Sequence, residues 1–371
     1  MKTWRKAIYG IFLVCILFLS PVACNDGGGN QPPPGPSSPS FAYVVNFIDG
    51  TILAYTINAS TGALTPLGSP LGAGFNPTSV AVDKSGTFAF VASLNGLIQY
   101  EILDGELQTL TQVMTGGNGP NSVAVDPSGN FVYVANIGSD NVSAFTFDAS
   151  GLSPVAGSPF SAGTDPSSVA VDPSGQFVYV VNSGTDNVSV FAIDASSGAL
   201  TPVSCPFCGA GNIPSSVAVD PSGNFVYVTN SEDDNVSAYT IDTSTGALMH
   251  TPLDEMPFAA GNGPVSVAVD PSGHFVYVAN ILSNDVSGFT IDASSGELTP
   301  VIGSPFTTGG SPRSVAVDPS GQFVYVANGG TGFNKVLAFT IDTSTGALTP
   351  VSGSPFLAGN TPSSVTTGTS Q

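Results

Sequence analysis

Ser122–Asn136 reads S-V-A-V-D-P-S-G-N-F-V-Y-V-A-N, and the whole fold can be read outward from it. Ser122 to Asp126 is a short apolar run. Pro127-Ser128-Gly129 is turn chemistry, because proline presets φ and glycine tolerates positive φ. Phe131 to Asn136 is rich in β-branched and aromatic residues, which favour a strand. The polar stretch Ile137 to Asp140 predicts a loop. Asn141 to Phe147 predicts a third strand, and Leu152 to Val155 a short outer one. The segment recurs along the chain. Its aspartate falls at Asp83, Asp126, Asp172, Asp220, Asp270 and Asp318, at spacings of 43, 46, 48, 50 and 48 residues. Short strands at such a period, with no helical pattern, predict an all-β propeller of four-stranded antiparallel blades.

The F-V-Y-V-A-N strand occurs seven times, starting at Phe41, Phe88, Phe131, Phe177, Phe225, Phe275 and Phe323. It carries Phe, Tyr and Ala on one face and Val on the other, which suits a strand sandwiched between neighbouring blades. The inner S-V-A-V-D strand is complete only six times, and none precedes Phe41. Pro362 to Gly368 begins like the missing copy. The expectation is therefore seven blades, with the C-terminal segment supplying the first blade's inner strand and closing the ring.

Three segments follow: residues 1–23, 24–40 and 41–371. In the first, Lys2, Arg5 and Lys6 precede the apolar run Ala7 to Leu19, as in a secretion signal. The run ends at Pro21-Val22-Ala23-Cys24, which resembles a bacterial lipobox. The resemblance implies lipid attachment at Cys24, with Pro21 standing where leucine is usual. Asn25 to Ser40 is a Gly/Pro/Ser tether. The expected location is the cell envelope, periplasmic or outer-surface, with the membrane engaged through the lipid anchor only. After removal of the leader the bases are Lys84, Arg313 and Lys335, which set against 26 acids leave −23. Such a charge argues against nucleic acid as a partner.

Cys205 and Cys208 replace small residues in one loop and are positioned for a local disulfide in an oxidising compartment. No metal or cofactor motif is recognisable, and no Ser/His/Asp set. Ser231-Glu232-Asp233-Asp234 reads as a solvated acidic loop. His274 falls at an exposed turn, and His250 in the outer-strand insertion M-H-T-P-L-D-E-M.

The repeated strand, with V-Y-V-T-N at Val226 to Asn230, resembles the YVTN β-propeller family. That family is similar to lactonase-type propellers, six-phosphogluconolactonase among them. Lactonases of this type carry a motif like G-P-R-H-x-x-F-H-P-x-G, then a strand ending in N-E. The matching stretch is Ser311 to Gly321. Arg313 matches the arginine, Ser314 and Asp318 stand at the two histidines, and Gly329 at the glutamate.

The residues preceding each S-V-A-V, namely Thr78, Asn121, Ser167, Ser215, Val265, Arg313 and Ser363, are expected to rim the central channel. Arg313 is the only charged one among them and the natural clamp for a carboxylate or phosphate, with Asn121 and Thr78 as accompanying contacts. A salt bridge from Arg313 to Asp165 or Asp186 is the competing expectation. The leading expectation for function is a binding platform for a protein, a glycan or a small anionic ligand, with no catalytic residues and no cofactor. The alternatives are a lactonase-like hydrolase using Arg313, with water activated near Asp165, Asp186 or Asp234, and a structural envelope component.

Overall fold

The structure, a computed structural model, describes residues 39–250, 257–330 and 332–369. The segment expected to be a secretion signal, the expected lipid site Cys24 and most of the expected tether lie outside these, as do residues 251–256 of the insertion after His250. The described residues form seven antiparallel sheets and no helix. Blade 3 shows the plan: an inner strand Pro120–Val125, a second Phe131–Asn136, a third Asn141–Asp148 and an outer Gly151–Pro154. Blade 1 is composite. Its second to outer strands are Ser40–Asn46, Thr51–Ile57 and Leu64–Gly72. Its inner strand is the C-terminal Pro362–Thr369, with Phe41 opposite Gly368 and Val44 opposite Val365. The first and last described strands thus pair in one sheet, which completes blade 1 and closes the ring.

The outer edge is more divided than the sequence pattern predicts. In blades 3, 5, 6 and 7 the strand after the turn is short. The chain then returns through Phe160–Ser161, Phe258–Ala259, Phe306–Thr307 or Phe356–Leu357 to pair with the start of the third strand. In blade 4 this stretch carries Cys205 and Cys208, which form a disulfide with their Cα atoms 5.5 Å apart.

Between blades the core is built from the second strands, whose residues are buried on both faces. Two repeating contacts fasten each seam. Near the channel, seven serines (Ser79, Ser122, Ser168, Ser216, Ser266, Ser314 and Ser364) each accept the N–H of the next blade's inner-strand valine at 3.1–3.3 Å. Further out, a glycine in the turn between third and outer strands lies on the phenylalanine ring of the preceding blade. A Cβ on Gly198 would come within 2.3 Å of Phe131, and one on Gly246 within 2.2 Å of Phe177. The tyrosine two residues along donates its hydroxyl to the same glycine's carbonyl. Tyr43, Tyr133, Tyr179, Tyr227, Tyr277 and Tyr325 do so at 2.9–3.1 Å. This lock closes six seams. At the seventh, between blades 2 and 3, the tyrosine is Phe90, and Gln99 Nε2 instead donates to the Asp148 carbonyl at 2.8 Å.

Candidate functional site

The channel opens on the face carrying the loops between second and third strands. Its mouth is a cavity of about 360 Å³ lined by Thr78, Asn121, Ser167, Ser215, Val265, Arg313 and Ser363, with the serine ring beneath. Most of these side chains are committed to the neighbouring blade. Thr78 Oγ1 donates to the Pro120 carbonyl at 3.1 Å, Asn121 Nδ2 to Ser167 at 2.7 Å, and Ser363 Oγ to Pro77 at 2.7 Å. Ser167 and Ser215 do the same to Pro214 and Pro264. Thr78 and Asn121 therefore keep acceptor capacity towards the cavity, while these donors serve the ring.

Arg313 differs. It is exposed, and among the described residues its guanidinium makes no ion pair and no hydrogen bond. The salt bridge to Asp165 or Asp186 is absent. Asp186 Oδ1 instead accepts the Ile213 N–H at 2.9 Å. The arginine side chain lies across Gly329: a Cβ at that position would meet Arg313 Cδ and Nε at 2.6 Å and the Pro362 carbonyl oxygen at 2.7 Å. The corresponding residues in other blades, Phe47, Leu94, Ile137, Ser183, Ser231 and Ile281, all carry side chains. Only the blade with the arginine leaves this space free. Arg313 consequently borders a second cavity of about 460 Å³ at the seam of blades 7 and 1, shared with Phe47, Ile48, Asn334 and Asn360. Lys335, another of the propeller's three bases, begins the third strand of the same blade. Blade 7 thus carries two of the three bases of an acidic propeller, of which Arg313 lines both cavities. The repeat comparison brought out Arg313. The role of Gly329 emerges only when its missing side chain is placed against the arginine.

The other polar candidates are structural. Asp318 is buried and caps its turn, accepting the N–H groups of Ser320, Gln322 and Phe323. Ser314 belongs to the serine ring. In the acidic loop, Asp233 holds the backbone and side chain of Asn212, and Asp234 the Gly263 N–H. Among the described residues no group of three His, Cys, Asp or Glu side chains is arranged to hold a metal ion. His274 sits at a turn on the opposite face, its Nδ1 2.7 Å from Ser272 Oγ.

Seven four-stranded antiparallel sheets closed into a ring make a seven-bladed propeller. The chain belongs to the family described as "Lactonase, 7-bladed beta-propeller", whose profile matches residues 37–166, 152–257 and 250–366. Among solved structures it is similar to a candidate 6-phosphogluconolactonase of Bacteroides uniformis, at 22% identity and a TM-score of 0.78, covering 89% of this chain and 100% of that one. A second, from Bacteroides fragilis, gives 21% identity and 0.77 over 90% and 99%. The periplasmic gluconolactonase of Pseudomonas aeruginosa gives 20% and 0.72 over 89% and 99%. These likenesses establish the fold. A comparison with curated protein sequences finds no match.

Proposed function

We propose that the protein hydrolyses sugar lactones that bear an anionic group, held at the blade 7 side of the channel mouth by Arg313. Family membership supports this reading over a pure binding platform. The observation that carries it is the unpaired, exposed arginine between two cavities, in a chain with almost no other positive charge. A guanidinium presents a planar fork of donors suited to a phosphate or carboxylate. In the reaction, water adds to the lactone carbonyl carbon and the ring C–O bond breaks. The ring oxygen takes a proton, and a hydroxy acid leaves. Donors aimed at the developing oxyanion lower that barrier.

The test is hydrolysis of 6-phosphogluconolactone and glucono-δ-lactone against the spontaneous rates. The expected result is acceleration, greater for the phosphorylated substrate. Arg313→Ala should lower kcat/KM about 10–100-fold, the worth of a lost charged hydrogen bond. Spontaneous rates in the wild type would sink the hydrolase reading.

One observation favours a second reading. The three positions where the lactonase motif has its histidines and glutamate hold Ser314, Asp318 and Gly329, and none of them is available as a base. A site that captures the sugar acid without turnover fits that set. Calorimetric titration with 6-phosphogluconate separates the two readings, because Arg313-dependent binding without hydrolysis selects capture.

A further inference from the structure

The seam between blades 2 and 3 departs from the repeat at four places, three of which line one cavity. Lys84 replaces the turn proline found at Pro127, Pro173, Pro221, Pro271 and Pro319. Pro127, Pro173, Pro221 and Pro271 lie 3.7–3.8 Å from where a Cβ on the next blade's turn glycine would sit. Gly129, facing Lys84, has nothing within 4 Å. Phe90 replaces the lock tyrosine. Phe147 replaces the isoleucine found at Ile193, Ile241, Ile291 and Ile341, and packs edge-on against Phe88 and Phe90 at 5.7 and 4.6 Å. The turn from Asp148 to Leu152 is two residues shorter than its counterpart from Asp194 to Leu200, so no glycine covers the ring of Phe88. Phe88 is accordingly half-buried, where its six counterparts are buried.

The result is a cleft of about 600 Å³ on the face opposite the channel mouth. Its floor is the rings of Phe88, Phe147 and Pro127, and its rim carries Lys84, Asn130 and Asp148. At six seams a glycine Cα lies on this phenylalanine, so the surface is shaped for aliphatic C–H groups. The rim offers the Lys84 ammonium, the Asp148 carboxylate and the Asn130 amide, while the Asp83 carboxylate that also lines the cleft is occupied by the N–H groups of Ser85, Thr87 and Phe88. An apolar face opposite a polar edge of mixed donors and acceptors is the surface of a neutral sugar ring.

We propose that this cleft binds a neutral hexopyranose, with its C–H face on Phe88 and its hydroxyls on Lys84, Asn130 and Asp148. The site is separate from the channel mouth and takes a ligand of opposite character, uncharged where the mouth favours anions.

The experiment is saturation-transfer NMR on the purified protein with methyl β-D-glucopyranoside and methyl β-D-galactopyranoside. Transfer to the ring C–H protons of at least one glycoside is expected, weakened in Lys84→Ala, lost in Phe88→Ala and retained in Arg313→Ala. A second variant guards against misfolding. It rebuilds the lock by Phe90→Tyr with a serine inserted after Ser150 and an alanine after Gly151, so that a turn of ordinary length fills the cleft. It should lose the signal while unfolding no earlier than the wild type. Absence of transfer from both glycosides, transfer that survives in the filled variant, or transfer abolished by Arg313→Ala would each overturn the proposal.

Discussion

Gly246→Ala tests whether the blades are held by the glycine lock. Gly246 has φ of +77°, where a side chain costs about 1–2 kcal/mol. Its new Cβ would fall 2.2 Å from Phe177 Cδ1 and 2.6 Å from Cε1 and Cγ. Phe177 is buried in the core of blades 4 and 5, so its ring cannot swing away freely, and overpacking of this kind costs about 1–3 kcal/mol. The expected destabilisation is about 2–5 kcal/mol in all. Tyr179→Phe removes only the hydroxyl that reaches the Gly246 carbonyl and should cost about 1 kcal/mol. Trp4, the chain's one tryptophan, lies ahead of the propeller strands, so the assay is urea denaturation followed by far-UV circular dichroism. Pairing Gly246→Ala with Phe177→Leu separates the two contributions: the smaller side chain should absorb the steric part and leave only the backbone part. The reasoning fails if Gly246→Ala matches the wild type within about 0.5 kcal/mol, or if Phe177→Leu leaves its cost unchanged.

Two more expectations follow from the same seams. Burial pushes the Tyr55 and Tyr239 phenols up to about 12, against a hydrogen bond from Ser237 that pulls Tyr239 the other way, and raises the six lock tyrosines as well. A raised phenol stabilises the fold fully below about pH 10 and loses that contribution as the pH climbs through 10 towards the folded value. Tyrosinate absorbance should therefore rise together with loss of the β-sheet signal, and complete ionisation of an intact fold would refute this. Ser314→Ala strips the Val365 N–H of its acceptor and should cost about 1–2 kcal/mol in denaturation while leaving 6-phosphogluconate binding unchanged. Lost binding with unchanged stability would instead place Ser314 in the ligand site.

The architecture was legible because each blade obeys the same local rules. Asp126 caps a D-P-S-G turn by accepting the N–H groups of Ser128, Asn130 and Phe131, and its counterparts do the same, so the turn announces itself in sequence. Closure was legible for the same reason, since Pro362 to Gly368 repeats the start of an inner strand. The divided outer edge was less so. Two-residue strands such as Phe160–Ser161 are too short to show a period, and their pairing with Asn141 and Val142 is decided by how the chain returns after Gly157.

The sites were legible only as departures from the repeat, and a departure has meaning once its neighbours across a seam are known. Arg313 stood out alone in sequence. Its consequence depends on Gly329, sixteen residues on, and on Pro362, which reaches it only through ring closure. Lys84, Phe90, Phe147 and the short turn after Asp148 look like four unrelated edits in a linear reading. The fold brings them to a single seam, and that seam has the smallest apolar core: seven buried side chains, against ten to twelve at the others. A ring held by identical locks could have repaired such a gap with the consensus tyrosine and a longer turn. Instead, the substitutions enlarge the opening and line it with aromatic and polar groups together. Drift in a packing interface removes contacts without supplying a complementary rim, so the combination favours a binding cleft over a decayed seam.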